Sequence, residues 1–141
     1  MKYIFKKLFA KKNVREAVDI LNEFGEKFQK PRFGNERLAA NMFVDIKNMM
    51  LKNLIYKDEQ NINSLSSKDV RSFVYFNIAK VFRIMMLNNH YSMAFRIPEM
   101  SENLFRIYDS AIDELVELGN FNQQEANESK LKIRADNQVY R

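Results

Sequence analysis

Residues 66–87, which read SSKDVRSFVYFNIAKVFRIMML, decide the fold class of this chain. Drawn as a helix, the stretch is apolar on nearly every side, and only a thin polar strip remains around Ser72, Lys80 and Arg83. A helix that is apolar nearly all round is buried in the centre of a protein. Ser66 and Asp69 have the spacing of an N-terminal cap and its partner three residues on. We therefore predict a central helix over about residues 66–89.

Three further stretches have helical apolar spacing. Residues 13–29 and 98–118 each carry one apolar stripe, whereas 35–57 is apolar on two sides and is predicted to share the centre with 66–89. The predicted fold is all-α: a compact bundle of four core helices, about 13–29, 35–57, 66–89 and 98–118, in a single domain of residues 1–141. Residues 1–12 are predicted to form a basic amphipathic arm, and 119–141 a C-terminal helix or a tail.

Two helix starts are predicted from local signals. Asn13, with Glu16 three residues later, is predicted to cap the first core helix, and Asn120 is a candidate cap for a last helix. Pro98 suits the first turn of the 98–118 helix, and Gly119 suits the position just after its end.

Composition excludes several functional classes. The chain has 3 Gly, 2 Pro and no Cys, so a many-stranded β fold is not expected, and disulfides and Cys-based zinc sites are excluded. His90 is the only histidine, and neither a glycine-rich phosphate loop nor a nucleophile motif occurs. We therefore expect no enzyme, no cofactor and no catalytic or metal-binding residues. A deep pocket that gathers His90, a tyrosine and carboxylates would reverse this expectation.

The excess positive charge is confined to the N-terminal segment. The net charge is +5, and residues 1–12 contain five lysines and no acid, so the rest of the chain is balanced. These lysines alternate with large apolar residues at helical spacing, as in helices that lie on anionic membranes or dock in a partner's groove. The segment comprises Lys2, Ile4, Phe5, Lys6, Lys7, Leu8, Phe9, Lys11 and Lys12. The plainer interpretation is that its apolar residues pack on the domain while the lysines face water.

Two other patterns have a structural and a functional interpretation. Asp109, Asp113 and Glu117 share one helix face, which we expect to be solvated. The functional alternative is that these carboxylates attract a basic partner or the N-terminal lysines. The Met49–Met50 and Met85–Met86 doublets are expected to fill the core, and an adaptable partner-binding surface is the alternative.

A second group of basic residues is sparse and interleaved with acids. It comprises Lys27, Lys30, Arg32, Arg37, Arg71, Lys80, Arg83 and Arg96. Basic residues beside an exposed aromatic can bind single-stranded nucleic acid, but no DNA-binding helix signature accompanies them.

The function predicted from these features is non-enzymatic. We expect an accessory protein that binds another protein, as an adaptor, inhibitor or immunity-type factor of a bacterial or phage system would, located in the cytoplasm. The N-terminal arm and the 91–97 connector place apolar residues outside the clean stripes. The predicted partner-binding residues are Ile4, Phe5, Lys6, Lys7, Leu8, Phe9, Lys11, Lys12, Tyr91, Met93, Phe95 and Arg96. The alternatives are a nucleic-acid-binding accessory protein, or attachment of the arm to the inner face of a membrane.

Overall fold

The computed structural model of the chain describes residues 11–28 and 35–139. All regular structure in these ranges is helical, which confirms the predicted all-α bundle. The α-helices are α1 Lys12–Gly25, α2 Asn35–Met50, α3 Glu59–Asn63, α4 Ser67–Met86, α5 Asn89–Ser92, α6 Pro98–Glu117 and α7 Gln123–Val139. Short 3-10 turns cover Glu26–Phe28 and Ala94–Arg96, and a π-helical turn covers Leu51–Ile55.

The centre of the bundle is formed by α2, α4 and α6, and α1 packs against α4. The Ser66 side chain accepts a hydrogen bond from the Asp69 backbone N–H at 3.3 Å, so the predicted cap of α4 is confirmed. Ten side chains of α4 are buried, but Phe76 and Ile84 are exposed, and Ser72, which was predicted to lie in the polar strip, is buried. The prediction placed two helices in the centre, and α6 is the third, since its contact with α4 is the most extensive in the bundle.

Two aromatic clusters fill the core. The first joins Phe24, Phe28, Phe43 and Tyr75, with ring centroids 5.4 to 6.0 Å apart. The second joins Phe82, Phe95, Phe105 and Tyr108 near the other end of α4. Met50, Met85 and Met86 of the two doublets are buried, as is Met42, so core filling is the correct interpretation of these four, whereas Met49 is only partly buried and packs at the edge of the core.

The start of α1 differs from the prediction. The helix begins at Lys12, and Asn13 does not cap it. The Asn13 amide instead donates to the backbone carbonyls of Ile62 at 3.1 Å and Leu65 at 2.6 Å. Glu16 accepts a hydrogen bond from the Ser67 hydroxyl at 2.9 Å rather than closing a capping box. Both polar groups therefore tie α1 to the chain that leads into α4.

The stretch predicted as one helix over 35–57 is divided. The α-helix ends at Met50 and continues as the π-helical turn, in which the Tyr56 N–H donates to the Leu51 carbonyl five residues back. The short helix α3 then follows, and its Ile62 is fully buried. The sequence pattern did not predict α3.

Residues after Gly119 form a helix rather than a tail. Asn122, not Asn120, caps α7: its side chain accepts from the Glu125 N–H at 2.8 Å, and the Glu125 carboxylate accepts from the Asn122 N–H at 3.1 Å. Asn120 instead accepts a hydrogen bond from the Ser72 hydroxyl at 2.8 Å. Gly119 has φ +81°, a backbone conformation that suits glycine at the end of α6.

In the part of the chain that the structure describes, no helix has the length and apolar character needed to span a bilayer.

Candidate functional site

The predicted contact residues divide into three sets. Ile4, Phe5, Lys6, Lys7, Leu8 and Phe9, together with Lys2, lie outside the described residues. Lys11 and Lys12 are exposed at the start of α1. The remaining four lie in the 91–97 connector, where they do not share one surface.

Two of the four connector residues do not offer the surface expected of them. Tyr91 and Phe95 are each only 1% exposed. The Phe95 ring lies 5.9 Å from Phe82 and 5.3 Å from Phe105, within the second aromatic cluster. These two aromatics do not fit the apolar stripe of any predicted helix, because two short helical turns rather than one long helix place them in the core. Tyr91 and Phe95 therefore anchor the connector to the core, whereas Met93 and Arg96 are exposed to solvent.

Exposed apolar side chains are frequent along the sequence around this connector. Four of the seven large apolar residues that are exposed in the described ranges lie between residues 84 and 97: Ile84, Leu87, Met93 and Ile97. Leu87 is 53% exposed and Met93 is 64% exposed. We call the exposed side chains of residues 84–97 the corner surface. Concentrated exposed apolar residues mark interaction sites more often than scattered ones do.

Local hydrogen bonds explain why the chain turns at this corner. The α4 helix ends at Met86, and Asn88 caps α5 by accepting the His90 N–H at 2.8 Å. The Tyr91 hydroxyl donates to the Asp45 carboxylate of α2 and so fixes α5 against that helix. The Phe95 carbonyl accepts from the Asn137 amide of α7 at 3.2 Å. The corner is thus braced from two sides, and its exposed residues are held on a fixed backbone.

A pocket of about 390 Å³ lies beside the corner surface, between α2 and α5. Its lining is mixed: a carboxylate, an ammonium, an imidazole and amides surround two methionine side chains. The lining residues are Asp45, Asn48, Met49, Lys52, Asn53, Met85, Asn88, His90 and Tyr91. We call this the corner pocket. Asp45, Asn48, Met49 and Lys52 follow i, i+3, i+4, i+7 spacing, so one face of α2 and its π-helical turn form a wall.

The corner pocket brings His90 and Tyr91 together with one carboxylate, that of Asp45, so the combination that would reverse the expectation of no enzyme is present in part. Burial raises the pKa of Tyr91, and the hydrogen bond to Asp45 raises it further, so the phenol stays protonated and remains a donor. The His90 ring packs edge-on against Tyr91 at 4.8 Å, and among the described residues no carboxylate or hydroxyl hydrogen-bonds its imidazole. A nucleophile held by a base requires such a bond. The described residues also contain no cluster of three His, Asp or Glu that could hold a metal.

The acidic row on α6 is largely solvated, as the sequence predicts, and α7 covers only one of its members. Asp109 accepts hydrogen bonds from Arg134 at 2.7 and 3.1 Å and is partly covered by α7, whereas Asp113 accepts one from Lys130 at 2.6 Å but remains 60% exposed. Glu117 remains exposed.

Several basic residues considered for phosphate contact have acidic partners within the fold. Lys27 lies 3.1 Å from Glu114, and Arg83 lies 3.7 Å from Asp136. Arg71 lies 3.9 Å from Glu23 and donates to the Tyr75 hydroxyl at 3.0 Å. Lys30 and Arg32 lie outside the described residues.

Comparison with known protein-family models, with curated proteins and with solved structures gave no match. Any functional argument for this chain therefore depends on its own residues.

Proposed function

We propose that the protein is a non-enzymatic accessory protein that binds another protein through its corner surface. The observation that carries this proposal is the concentration of Ile84, Leu87, Met93 and Ile97 on one braced stretch of chain. Burial of exposed apolar side chains is the main favourable term in most protein association. A rigid apolar surface also loses little conformational entropy when a partner covers it.

The corner pocket supplies the polar part of the same interface. Its size suits one side chain of a partner, whose alkyl part would lie between Met49 and Met85. The Asp45 carboxylate accepts the Tyr91 hydroxyl, and side-chain amides and the His90 imidazole also line the pocket. A partner side chain with a hydrogen-bonding head therefore finds both donors and acceptors there. An apolar patch beside a polar anchor is the usual anatomy of a protein interface.

The N-terminal segment belongs to this proposal as a second contact. Its lysines and large apolar residues have the spacing of a helix that orders when it docks. Nucleic-acid binding is the first alternative, and it predicts an affinity that falls steeply with salt. Membrane attachment through the segment is the second, and it predicts flotation with anionic liposomes.

The test is affinity purification from the source cell with matched variants. Leu87→Ser combined with Met93→Ser replaces two exposed apolar side chains of the corner surface with polar ones and leaves every buried side chain unchanged. Leu131→Ser is the control, because Leu131 is an exposed apolar residue of α7, 69% exposed, that is not part of residues 84–97. We expect the wild type and the control to retain the same bound protein, and the corner variant to lose most of it, as loss of two central apolar contacts at about 1 to 2 kcal/mol each predicts.

Two outcomes would contradict the proposal. If the corner variant retains its partner as fully as Leu131→Ser does, the corner surface is not the interface. If the retained material is nucleic acid, or if the protein floats with anionic vesicles and captures no protein, one of the two alternatives replaces it.

A further inference from the structure

Met93 places an exposed thioether on the corner surface. The chain contains 8 methionines and no cysteine, so the methionine sulfurs are its only groups on the sulfur oxidation ladder. Met93 is 64% exposed. The fold shields the other methionines that the structure describes: Met42, Met50, Met85 and Met86 are buried, and Met49 and Met100 are partly buried. Within residues 11–28 and 35–139, an oxidant dissolved in water therefore meets one open sulfur.

A single 3-10 turn holds Met93 beside Arg96. The Arg96 backbone N–H donates to the Met93 carbonyl at 3.1 Å, and side chains three residues apart lie on the same side of such a turn. The Arg96 Nη1 atom lies 4.0 Å from the Met93 sulfur. Between the two, Ala94 and Phe95 are buried and hold the turn on the core. The thioether thus faces water next to a guanidinium.

A thioether reacts with a peroxide in one balanced step. A sulfur lone pair attacks one oxygen of hydrogen peroxide, and the O–O bond breaks. The sulfur is oxidised by two electrons, and the departing hydroxide takes the proton of the transferred oxygen and leaves as water. The product is methionine sulfoxide, which is polar and chiral where the thioether was apolar.

Arg96 lies where it can hydrogen-bond the oxygen that this reaction adds. A thioether sulfur is a weak acceptor, whereas a sulfoxide oxygen is a strong one, and a guanidinium donates charge-assisted hydrogen bonds. Oxidation would therefore turn the most exposed apolar side chain of the corner surface into half of a polar pair. A partner that covers such a pair must remove its water, which costs free energy that the thioether does not cost.

We propose that Met93 is an oxidation site, and that its conversion to the sulfoxide by a peroxide lowers partner binding at the corner surface. This inference rests on the function proposed for that surface. The fold survives the reaction because the buried sulfurs are not reached. A thiol-dependent methionine sulfoxide reductase reverses the step: two thiols are oxidised to a disulfide, and the sulfoxide oxygen leaves as water.

The first experiment measures which sulfur is oxidised first. The full chain is treated with limiting hydrogen peroxide, and peptide mass spectrometry follows the oxygen gained at each methionine. We expect Met93 to be oxidised at least about tenfold faster than Met42 or Met50, since buried sulfurs meet peroxide only when the chain opens. The melting temperature should not change while Met93 alone is oxidised. If Met93 reacts no faster than the buried methionines, the proposal is wrong.

The second experiment measures binding of the protein that the wild type retains in affinity purification. Met93→Leu is the matched control, because it keeps an apolar side chain and removes the sulfur. We expect peroxide to weaken retention by the wild type at least about tenfold and to leave Met93→Leu unchanged, as the cost of covering one polar group predicts. The reductase should restore the wild type. Met93→Gln should bind weakly without any peroxide, because its amide imitates the polar sulfoxide.

Failure of this proposal can be told apart from failure of the proposed function. If Leu87→Ser with Met93→Ser loses the partner but the oxidised wild type keeps it, the corner surface is the interface and the oxidation proposal is wrong. Equal loss of binding in peroxide-treated wild type and Met93→Leu also overturns it, because the sulfur of Met93 is then not the cause. If the double serine variant keeps the partner, the proposed function is wrong and this inference falls with it.

Discussion

At the scale of single residues, the hydrogen bond between Tyr91 and Asp45 links α5 to α2. A phenol that donates to a carboxylate contributes about 2 kcal/mol, more than a bond between neutral groups. Tyr91→Phe removes the donor and leaves the half-buried carboxylate with one bond fewer, so we expect the free energy of unfolding in urea to fall by about this amount. Tyr108→Phe is the control. Tyr108 is equally buried, but its hydroxyl only accepts a 3.3 Å bond from the exposed Arg83, so a smaller loss is expected.

The same tyrosine predicts how stability changes with pH. Burial first, and the Asp45 hydrogen bond second, raise the pKa of Tyr91, so the folded chain holds the phenol proton more tightly than the unfolded chain does. This contribution is complete below pH about 10 and is lost as the pH rises above that value. The stability difference between the wild type and Tyr91→Phe should therefore shrink above pH about 10. A difference that stays constant to the alkaline limit would contradict the assigned donor.

Close packing leaves no room for a side chain at Gly25. A Cβ at this position would lie 2.7 Å from Cε2 of the buried Phe43. Alanine gains about 1 kcal/mol in helix propensity over glycine, while overpacking costs about 1 to 3 kcal/mol, so Gly25→Ala should lower stability overall. Thermal melting should show a smaller penalty for Gly25→Ala in a Phe43→Leu background, where the ring is absent. An equal penalty in both backgrounds would mean that the clash is not the cause.

At the scale of helices and turns, the sequence signals for helix caps predicted the cap correctly only where no tertiary contact competed for the same side chain. The Ser66 cap was predictable because the start of α4 is exposed and no other group competes for its hydroxyl. Asn13 and Asn120 have the same chemistry as a cap, yet their amides bond to Leu65 and Ser72, which lie about 50 residues away in sequence. A cap signal in the sequence cannot distinguish these two uses of an amide.

The cap of α7 can be tested directly. Asn122→Ala removes the oxygen that accepts the Glu125 N–H, and loss of such a cap costs about 1 kcal/mol. We expect faster hydrogen exchange at the first amides of α7 without a comparable change in α4. Gln123→Ala is the control, because its exposed side chain bonds only to Asn127 one turn on. Similar exchange in the two variants would mean that tertiary contacts, rather than the cap, hold the start of α7.

At the scale of the whole molecule, apolar periodicity predicted the fold class but not the arrangement of surfaces. Stripes such as those of α4 and α6 report which side of a helix is buried, because burial is what selects apolar residues. They do not report which polar faces are covered. The α6 carboxylates of Asp113 and Glu117 are exposed, as a helical wheel predicts, yet Arg134 of α7 covers much of Asp109 on the same face. The corner pocket was equally unpredictable, because Asp45 and Tyr91 meet only after 46 residues of chain have folded.

The N-terminal segment gives the last prediction at this scale. Because α1 begins at Lys12 with Lys11 as its cap position, the deletion that tests the segment removes residues 1–10 and leaves the helix intact. If Ile4, Phe5, Leu8 and Phe9 contact a partner, the shortened chain should keep its helicity and melting temperature and lose partner capture. If these residues pack on the domain, removing four large apolar side chains should lower stability by several kcal/mol. Circular dichroism and affinity purification on one preparation separate the two cases, since unchanged melting together with unchanged capture would exclude both roles.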